Sequence, residues 1–289
     1  MTAGRRVEVR PISCADVQRV AQFLHAELNG RITAATWAAA IETPWPTKSP
    51  NHGFMLMSAD RVLGVYLAFY SQRRVDDRIE KFCNLAAWCV LEEHRSDGLR
   101  LLRAMLAQEG YTFTDLSPSG NVVALNARLK FEHLDTTTAL VLNWPWPSSL
   151  TRTRVISDPA SIEQALSGRD LEIYHDHARA PAAHHLVVLR GNESCYVMFR
   201  RDRRKNLPLF ASFLHVGNPE LFGKTARHVF SHLLTHFGIV ATLVEERVTL
   251  YHPRLSLLLS SPRPRMFRSS RLQSGQVDYL YSELTCVPW

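Results

Sequence analysis

The spacing of apolar residues predicts strands and helices in alternation over the first half of the chain. Val7–Ile12 alternates between apolar and polar positions, which is typical of a short strand. The segment from about Asp16 to Leu28 places its apolar residues at helical spacing, and Ser13 before it is suited to cap a helix. Ala34–Ile41 predicts a second helix, which ends at a proline-rich loop.

The alternation continues to residue 143. Two strands that flank the turn at Asp60 predict a β-hairpin, and after it come a strand, a helix, a strand, a helix and a strand. The predicted segments are Gly53–Ser58, Val62–Tyr70, Lys81–Val90, Leu99–Gln108, Tyr111–Leu116, Val122–Leu129 and Ala139–Asn143. This order predicts an α/β domain built around a mixed sheet.

A proline-rich segment marks the predicted boundary between two domains. Trp144–Pro147 contains two prolines in four residues, a density that suits neither a helix nor a central strand. We therefore expect domains over residues 1–147 and 148–289. The second half weakly repeats the first as strand, helix, hairpin, long strand and the helix Phe222–Phe237. The last stretch, Gln276–Trp289, alternates and predicts a terminal strand, exchanged into the sheet of the other domain.

Composition and charge narrow the classes of function without choosing one. Hydrophobic residues make up 46% of the 289 residues, which suits packed domains, and no apolar run has the length needed to cross a bilayer. The five cysteines form no C-x-x-C pair, so we expect no disulfide framework, no zinc site and a cytoplasmic location. The net charge of +7 suits an anionic partner, and basic residues concentrate in Arg200–Lys205 and Arg263–Arg271.

One strand–turn–helix segment carries the strongest chemical signal. A strand that ends at Val90 leads through a short loop into Arg95–Arg100, which opens a helix. The first turn of a helix presents unpaired N–H groups and the positive end of the helix dipole, so it suits a pyrophosphate. Gly98 would let the backbone approach such a ligand, and Arg103 would add positive charge. The turn therefore predicts a phosphate-binding site.

This segment resembles the signature of the GNAT N-acetyltransferases. Their motif is Arg/Gln-x-x-Gly-x-Gly/Ala after the long central strand; Arg95 and Gly98 match it, while Arg100 replaces the last small residue. The stretch from Asn121 to Phe131 resembles the asparagine-bearing helix of the family. The resemblance covers roughly the first half of the chain. It implies two tandem GNAT-like domains, each a mixed, mostly antiparallel sheet flanked by helices, with the second copy degenerate.

The resemblance implies transfer of an acyl group from coenzyme A to the amine of a small molecule or amino sugar, with acetyl-CoA as the default donor. Main-chain N–H groups of the central strand would hold the thioester, and the second domain would help to form the acceptor site. No metal and no insertion into a membrane are implied. The residues expected to bind the coenzyme are Ala87, Trp88, Cys89, Val90, Arg95, Ser96, Asp97, Gly98, Leu99, Arg100 and Asn121.

The proton carriers of the family are not at their usual positions in this chain. Asn84 stands near the position of the glutamate base, and Asn126 near that of the tyrosine that protonates the leaving thiolate. An amide is not a useful proton acceptor. We name Glu80, Tyr66 and Glu283 as substitute candidates, each of which is also compatible with a structural role.

Two other functions stay open. An aminoacyl-tRNA-dependent transferase with two GNAT-like domains would use the basic clusters to bind tRNA. A non-catalytic acyl-CoA sensor or scaffold would need no general base.

Two further sequence patterns are more typical of structural roles than of binding sites. His228, His232 and His236 share one helical stripe without a carboxylate or cysteine beside them. Gly223–Thr225 lacks the glycine spacing of a phosphate-binding P-loop.

Overall fold

The computed structural model describes residues 6–147, 152–204 and 207–289, which fold into two compact units. Unit 1 contains the chain up to Leu134 together with Pro264–Val277 and Tyr281–Val287. Unit 2 contains Asp135–Arg263, Asp278–Leu280 and the last two residues. The division at 134/135 lies earlier than the boundary expected at residue 147, because the strand before that boundary belongs to the second sheet.

Up to Arg128 the elements follow the predicted order with two central strands longer than predicted, and the short strand after it was not predicted. They are β1 (Glu8–Pro11), α1 (Val17–Glu27), α2 (Ala34–Ile41), β2 (Gly53–Ser58), β3 (Arg61–Val75), β4 (Arg78–Val90), α3 (Gly98–Leu106), β5 (Thr112–Asp115), α4 (Asn121–Arg128) and β6 (Glu132–His133). Thr33 caps the start of α2, because its hydroxyl accepts a hydrogen bond from the Thr36 N–H.

The elements of unit 2 repeat this pattern in a shorter form. They are β7 (Thr138–Leu142), β8 (Thr153–Ile156), α5 (Pro159–Ala165), α6 (Gly168–His177), β9 (His184–Arg190), β10 (Glu193–Arg204), β11 (Leu207–Val216), α7 (Pro219–Phe237), β12 (Ala241–Glu245), α8 (Glu246–Thr249) and β13 (Leu257–Leu258). The long helix α7 begins with Asn218 as cap and a proline in its first turn, and it ends at Gly238, which adopts the left-handed conformation.

The last part of the chain returns to unit 1. It supplies the short strand β14 (Met266–Arg268), which pairs with β5 and β6, and the helical turn α9 (Glu283–Cys286). The terminal strand predicted over Gln276–Trp289 was therefore wrong, because this stretch contains a helical turn and no strand. The late strand that joins the first sheet is β14.

In the described chain, two seven-stranded mixed sheets have matching orders. The first runs β1-β2-β3-β4-β5-β14-β6, and the second, from its other edge, runs β8-β9-β10-β11-β12-β7-β13. Each sheet contains one parallel pair, β4 with β5 and β11 with β12, and the other pairs are antiparallel. The two tandem domains implied by the resemblance are confirmed at the level of fold. Each has its own apolar core, centred on residues such as Leu85 and Leu101 in unit 1 and Phe213 and Val229 in unit 2.

Candidate functional site

The central strand of unit 1 contains a β-bulge near its end. Val65 pairs with Cys89 and Leu67 pairs with Ala86, so two residues of β4, Ala87 and Trp88, together face one residue of β3. Ala87 adopts a left-handed backbone with a φ of 51°. A bulge bends its strand and changes the direction of the side chains and N–H groups that follow it.

Beyond the bulge, β4 has an edge without a described strand partner. Its parallel pairing with β5 begins at Phe82 and ends where Leu85 faces Asp115, whereas β4 itself continues to Val90. The N–H of Leu91 donates to the Leu63 carbonyl on the β3 side. Because N–H groups of a strand alternate in direction, those of Val90 and of Trp88 point toward the open edge.

The turn after β4 is a 3₁₀ segment, Glu92–Asp97, that continues directly into α3. Arg95 is mostly exposed and makes an ion pair with Glu92 at 3.6 Å, while Ser96 and Leu99 are also exposed. Arg100 is used within the protein, since its guanidinium donates to the Asp97 carboxylate and to the Val7 carbonyl, each at 3.0 Å. The cation of this turn that is more exposed to solvent is thus Arg95 rather than Arg100.

Gly98 makes room for a neighbouring side chain. Its φ of −55° is ordinary for a helix, so no special backbone freedom is involved. A Cβ on Gly98 would lie 3.4 Å from the Val90 side chain and 3.6 Å from the Trp88 indole, which is ordinary contact. The indole of Trp88 also stacks on the Tyr66 ring, with centroids 4.8 Å apart and an interplanar angle of 11°. A large side chain at position 98 would therefore displace Trp88.

A buried carboxylate pair lies where β4 and β5 separate. Asp115 is the last residue of β5, and Glu283 is the first residue of α9; both are buried. The Ser117 hydroxyl donates to Glu283 at 2.8 Å, and the Asn126 amide donates to Asp115 at 2.8 Å. Burial raises the pKa of Asp115 to about 7, and the negative charge of Glu283 adds to this effect.

Tyr66 belongs to the same cluster. It is buried, and burial raises the pKa of its hydroxyl well above the usual value, with further contributions from Asp115, Cys83 and Glu283. Among the described residues, neither the Tyr66 hydroxyl nor the Trp88 indole N–H has a hydrogen-bond partner. Buried polar groups are normally paired within the protein, so two unpaired groups at one place are typical of a site that meets a ligand.

The two asparagines at the family's base and acid positions hold the carboxylates. The Asn84 side-chain oxygen accepts a hydrogen bond from the Glu283 backbone N–H at 2.9 Å, and its amide donates to the Thr114 hydroxyl at 3.1 Å. Asn126 contacts Asp115 directly. Sequence reasoning had placed both amides near the site but had not identified Asp115 as the partner of Asn126, or Glu283 as the partner of Asn84.

Two predicted residues, Glu80 and Asn121, are not among the contacts of this cluster. Glu80 is buried near the start of β4, 3.9 Å from the Arg271 guanidinium. It precedes Ala87 by seven residues, which is roughly 23 Å along a strand. Asn121 is exposed at the start of α4. The structure thus brings together Tyr66 and Glu283 of the three proton-carrier candidates and leaves Glu80 at the far end of the strand.

Three arginines of the basic clusters expected to suit tRNA are engaged within unit 2. Arg200 is buried, and Arg201 donates to the Phe237 carbonyl at 2.9 Å. Arg263 makes an ion pair with Asp202 at 2.9 Å. Lys205 lies outside the described residues.

The histidine stripe of α7 packs within unit 2. His232 lies 3.0 Å from the Ser157 hydroxyl and stacks on His236, with ring centroids 3.9 Å apart. Within the described ranges, no group of three or more His, Cys, Asp or Glu residues has the arrangement needed to hold a metal ion. No helix of the described chain combines the length and apolarity that a membrane span requires.

Comparison with solved structures gives the family whose fold this is. A GCN5-related N-acetyltransferase from Anabaena variabilis superposes with a TM-score of 0.56 at 10% identity, covering 91% of this chain and 72% of its own. A second such enzyme, from Kribbella flavida, gives a TM-score of 0.55 at 13% identity, covering 91% and 72%. The chain has the GNAT fold.

An N-myristoyltransferase with the same fold covers more of the chain. The Saccharomyces cerevisiae enzyme, solved with bound myristoyl-CoA, gives a TM-score of 0.52 at 9% identity and covers 98% of this chain and 86% of its own. No protein-family model matches the sequence, and no curated protein matches it. The likeness is therefore one of architecture, and the chemistry has to be argued from the residues of this chain.

Proposed function

We propose that the chain is an acyl-CoA-dependent N-acyltransferase that acts in the cytoplasm on the amine of a small molecule or amino sugar. The observation that carries this proposal is the buried cluster of Asp115, Glu283 and Tyr66 at the open edge of β4. A carboxylate with a pKa near 7 is maintained at a cost in stability, and such groups are concentrated at functional sites.

The open edge of β4 and the turn after it fit a coenzyme A thioester. The N–H groups of Trp88 and Val90 would bind acyl and pantetheine oxygens, in the manner of an added strand. The first turn of α3, with Arg95 and Ser96 exposed beside it, would hold the pyrophosphate. When bound, the coenzyme supplies an acyl group activated as a thioester. Arg100 bonds to Asp97 and Val7 within the protein, so it would stabilise the turn rather than contact the coenzyme.

The buried cluster supplies the two proton transfers that the reaction needs. As the amine nitrogen forms its bond to the acyl carbon, the Asp115 carboxylate takes the proton that the nitrogen loses. As the carbon–sulfur bond breaks, the Tyr66 hydroxyl gives its proton to the leaving sulfur. A group with a pKa near 7 is suited to accept a proton at neutral pH. The Tyr66 hydroxyl is protonated at neutral pH because burial raises its pKa, so it carries a proton that can pass to the developing thiolate.

The acetyl donor is the default within this proposal. Support for acyl-CoA in general comes from two kinds of protein with the same fold, GCN5-related N-acetyltransferases and an N-myristoyltransferase that was solved with myristoyl-CoA. Because these proteins span short and long acyl groups, the acyl length is a variable of the experiment.

The test measures thiol release from acetyl-CoA and longer acyl-CoAs across a panel of small amines and amino sugars. We expect amine-dependent release in the wild type, its loss in Asp115→Asn, and its retention in the matched control Glu80→Gln. A calorimetric titration of each acyl-CoA runs in parallel. Binding without release across the panel would favour the acyl-CoA sensor, and absence of binding by every acyl-CoA would overturn the proposal and leave the aminoacyl-tRNA reaction to be tested.

A further inference from the structure

Unit 2 contains a groove of about 690 Å³ whose charged lining is almost entirely basic. Its charged and titratable residues are Arg152, Arg190, Lys224, Arg227, His228 and one acid, Glu193. We call this set the basic groove. It lies on α7 and the β9–β10 turn.

Three elements bring these residues together. Lys224, Arg227 and His228 are spaced three and four residues apart on α7, so they share one face of the helix. Arg190 and Glu193 flank the turn between β9 and β10. The cations are thus held by a long helix and a paired hairpin, which are rigid supports for a binding site.

The side chains of the basic groove are close enough to act on each other's charge. Burial lowers the pKa of His228, and the positive charges of Arg227 and Arg190 lower it further. Lys224 is held charged mainly by Glu220, and the same ammonium also interacts with Glu193 and, unfavourably, with Arg190. Concentrating like charges in this way is unfavourable without a bound anion, since like charges repel.

Arg227 is oriented by an aromatic ring. Its guanidinium lies 4.4 Å from the centroid of the Trp146 ring. Stacking on the flat face leaves the N–H groups at the edge of a guanidinium able to donate. A planar fork of donors that is already oriented is suited to bind phosphate through two parallel hydrogen bonds.

We propose that the basic groove binds a small phosphorylated molecule, such as a nucleoside diphosphate. The four cations of the groove stand against two carboxylates, Glu193 in the lining and Glu220 paired with Lys224, which leaves a net charge of about +2 that suits phosphate groups. The volume lies in the range of about 300–1,000 Å³ that is usual for small-ligand sites. A nucleic acid strand would need a longer basic track, and the described arginines of the neighbouring cluster at 200 and 201 are buried or bonded within the protein.

The basic groove is not a P-loop, although the residues Gly223–Thr225 superficially suggest one. These residues lie inside α7, and the Thr225 hydroxyl is buried and donates to the Leu221 carbonyl at 2.6 Å. The proposed binding therefore depends on side-chain cations rather than on a glycine-rich loop of N–H groups. It is also independent of the acyltransferase proposal, which rests on residues of unit 1.

The experiment titrates ADP and inorganic tripolyphosphate into the full chain by calorimetry. We expect both to bind to the wild type and to bind at least about 10-fold more weakly to Arg190→Gln/Arg227→Gln. The matched control, Arg169→Gln/Arg179→Gln, removes the same charge from exposed positions on and just after α6 and should bind as the wild type does. Lys224→Gln, which alters an exposed side chain, provides a second variant if the double variant folds poorly.

Three results would overturn the proposal. One is the absence of binding by both ligands at 150 mM salt. Another is equal binding by the wild type, the double variant and Lys224→Gln. The third is binding of a 20-nucleotide single-stranded RNA under conditions where ADP does not bind, which would assign the groove to nucleic acid instead.

Discussion

The Asn126 amide donates a hydrogen bond to the Asp115 carboxylate at 2.8 Å, within a cluster where Glu283 opposes ionisation of the same group. A hydrogen bond donated to a carboxylate favours its charged form, whereas burial and a second carboxylate favour the neutral form. The balance of these effects holds the pKa of Asp115 near 7. A modest change at Asn126 or Glu283 therefore shifts this pKa to one side of neutral pH or the other.

Removal of the Asp115 charge should stop catalysis without unfolding unit 1. Asp115→Asn keeps the shape of the side chain and, by replacing a carboxylate buried beside Glu283, should not lower stability. We expect kcat to fall by about 100-fold or more, the usual contribution of a general base. Wild-type kcat should increase with pH through about 7 as Asp115 ionises. Thiol-release rates from pH 5.5 to 8.5 measure both effects, and an unchanged kcat in the variant would remove Asp115 from the mechanism.

The amide of Asn126 should set the pH at which activity begins. Asn126→Leu removes the hydrogen bond that lowers the pKa of Asp115, so that pKa should rise above 7. The acid limb of the rate profile should then shift to higher pH, while the rate at high pH is largely retained. The pH profile of kcat/KM gives the shift directly. A uniform loss of rate at all pH values would indicate structural damage instead.

The Tyr66 hydroxyl should matter for turnover and not for stability. It is buried without a described partner, so Tyr66→Phe removes an unsatisfied polar group and should leave the unfolding midpoint unchanged or slightly higher. As the proposed proton donor it should lower kcat by about 10- to 100-fold with a smaller effect on KM. Thermal unfolding and steady-state kinetics on the same preparation separate the two. Full activity in the variant would assign Tyr66 to packing against Trp88 alone.

Substitutions at Gly98 should act through Trp88. Gly98→Ala places a methyl group at ordinary contact distance from Val90 and Trp88, so folding and coenzyme binding should both be retained. Gly98→Phe, which adds no indole, should displace the Trp88 ring from its stack on Tyr66. Tryptophan fluorescence reports the displacement, and calorimetry with acetyl-CoA reports its effect on binding. Similar fluorescence spectra for Gly98→Phe and Gly98→Ala would contradict this account.

Unit 2 should lose stability in mild acid. Burial lowers the pKa of His185 and His232 to about 4, below the unfolded value of about 6.5, so the unfolded chain binds protons that the folded unit does not. The stability that depends on them is complete above pH 6.5 and decreases as the pH falls toward 4. Asp115 has the opposite effect in unit 1, where its raised pKa makes stability fall as pH rises from about 4 to 7.

Hydrogen exchange of the β9 and β10 amides isolates the histidine effect from that of Asp115. We expect their protection to fall between pH 6.5 and 5, after correction for intrinsic exchange. The fall should be smaller in His232→Gln, and the exposed control His252→Gln should match the wild type. Equal pH dependence in all three proteins would show that His232 does not contribute.

The sequence correctly predicted the helices and strands that are determined by residues close together in the chain. Ala34–Ile41 and Gly53–Ser58 match α2 and β2 to the residue, because a capped helix and a hairpin are encoded by neighbouring positions. The sheet position of β14 could not be predicted, since Met266–Arg268 lies among prolines and basic residues and is a strand only because β5 and β6 flank it. The alternation of apolar and polar residues in Gln276–Trp289 predicted a strand that does not form. Tertiary contacts, including the hydrogen bond from the Glu283 N–H to Asn84, override this local pattern.

The candidate site was predicted in part for the same reason. Tyr66 was named for its place near the central strands and Glu283 for its place on the predicted terminal strand. Asn84 was named from its spacing to Arg95, and Asn126 from its spacing to Phe131. Asp115 was missed because its chemistry depends on burial and on a partner far along the chain; Ser117 and Glu283, which share the cluster, are separated by 166 residues. No local pattern reports such a pair. The expected role of Arg100 did not allow for its bond to Val7, 93 residues earlier.

The return of the late chain to unit 1 has a consequence for synthesis on the ribosome. The first sheet lacks β14, and its carboxylate pair lacks Glu283, until more than nine-tenths of these 289 residues have been made. At about 5–20 residues per second, Asp135–Arg263 of unit 2 has been translated before unit 1 can be completed. The first sheet therefore waits for chain that is made after most of unit 2, and an interrupted chain would carry Arg95–Arg100 without the carboxylate pair.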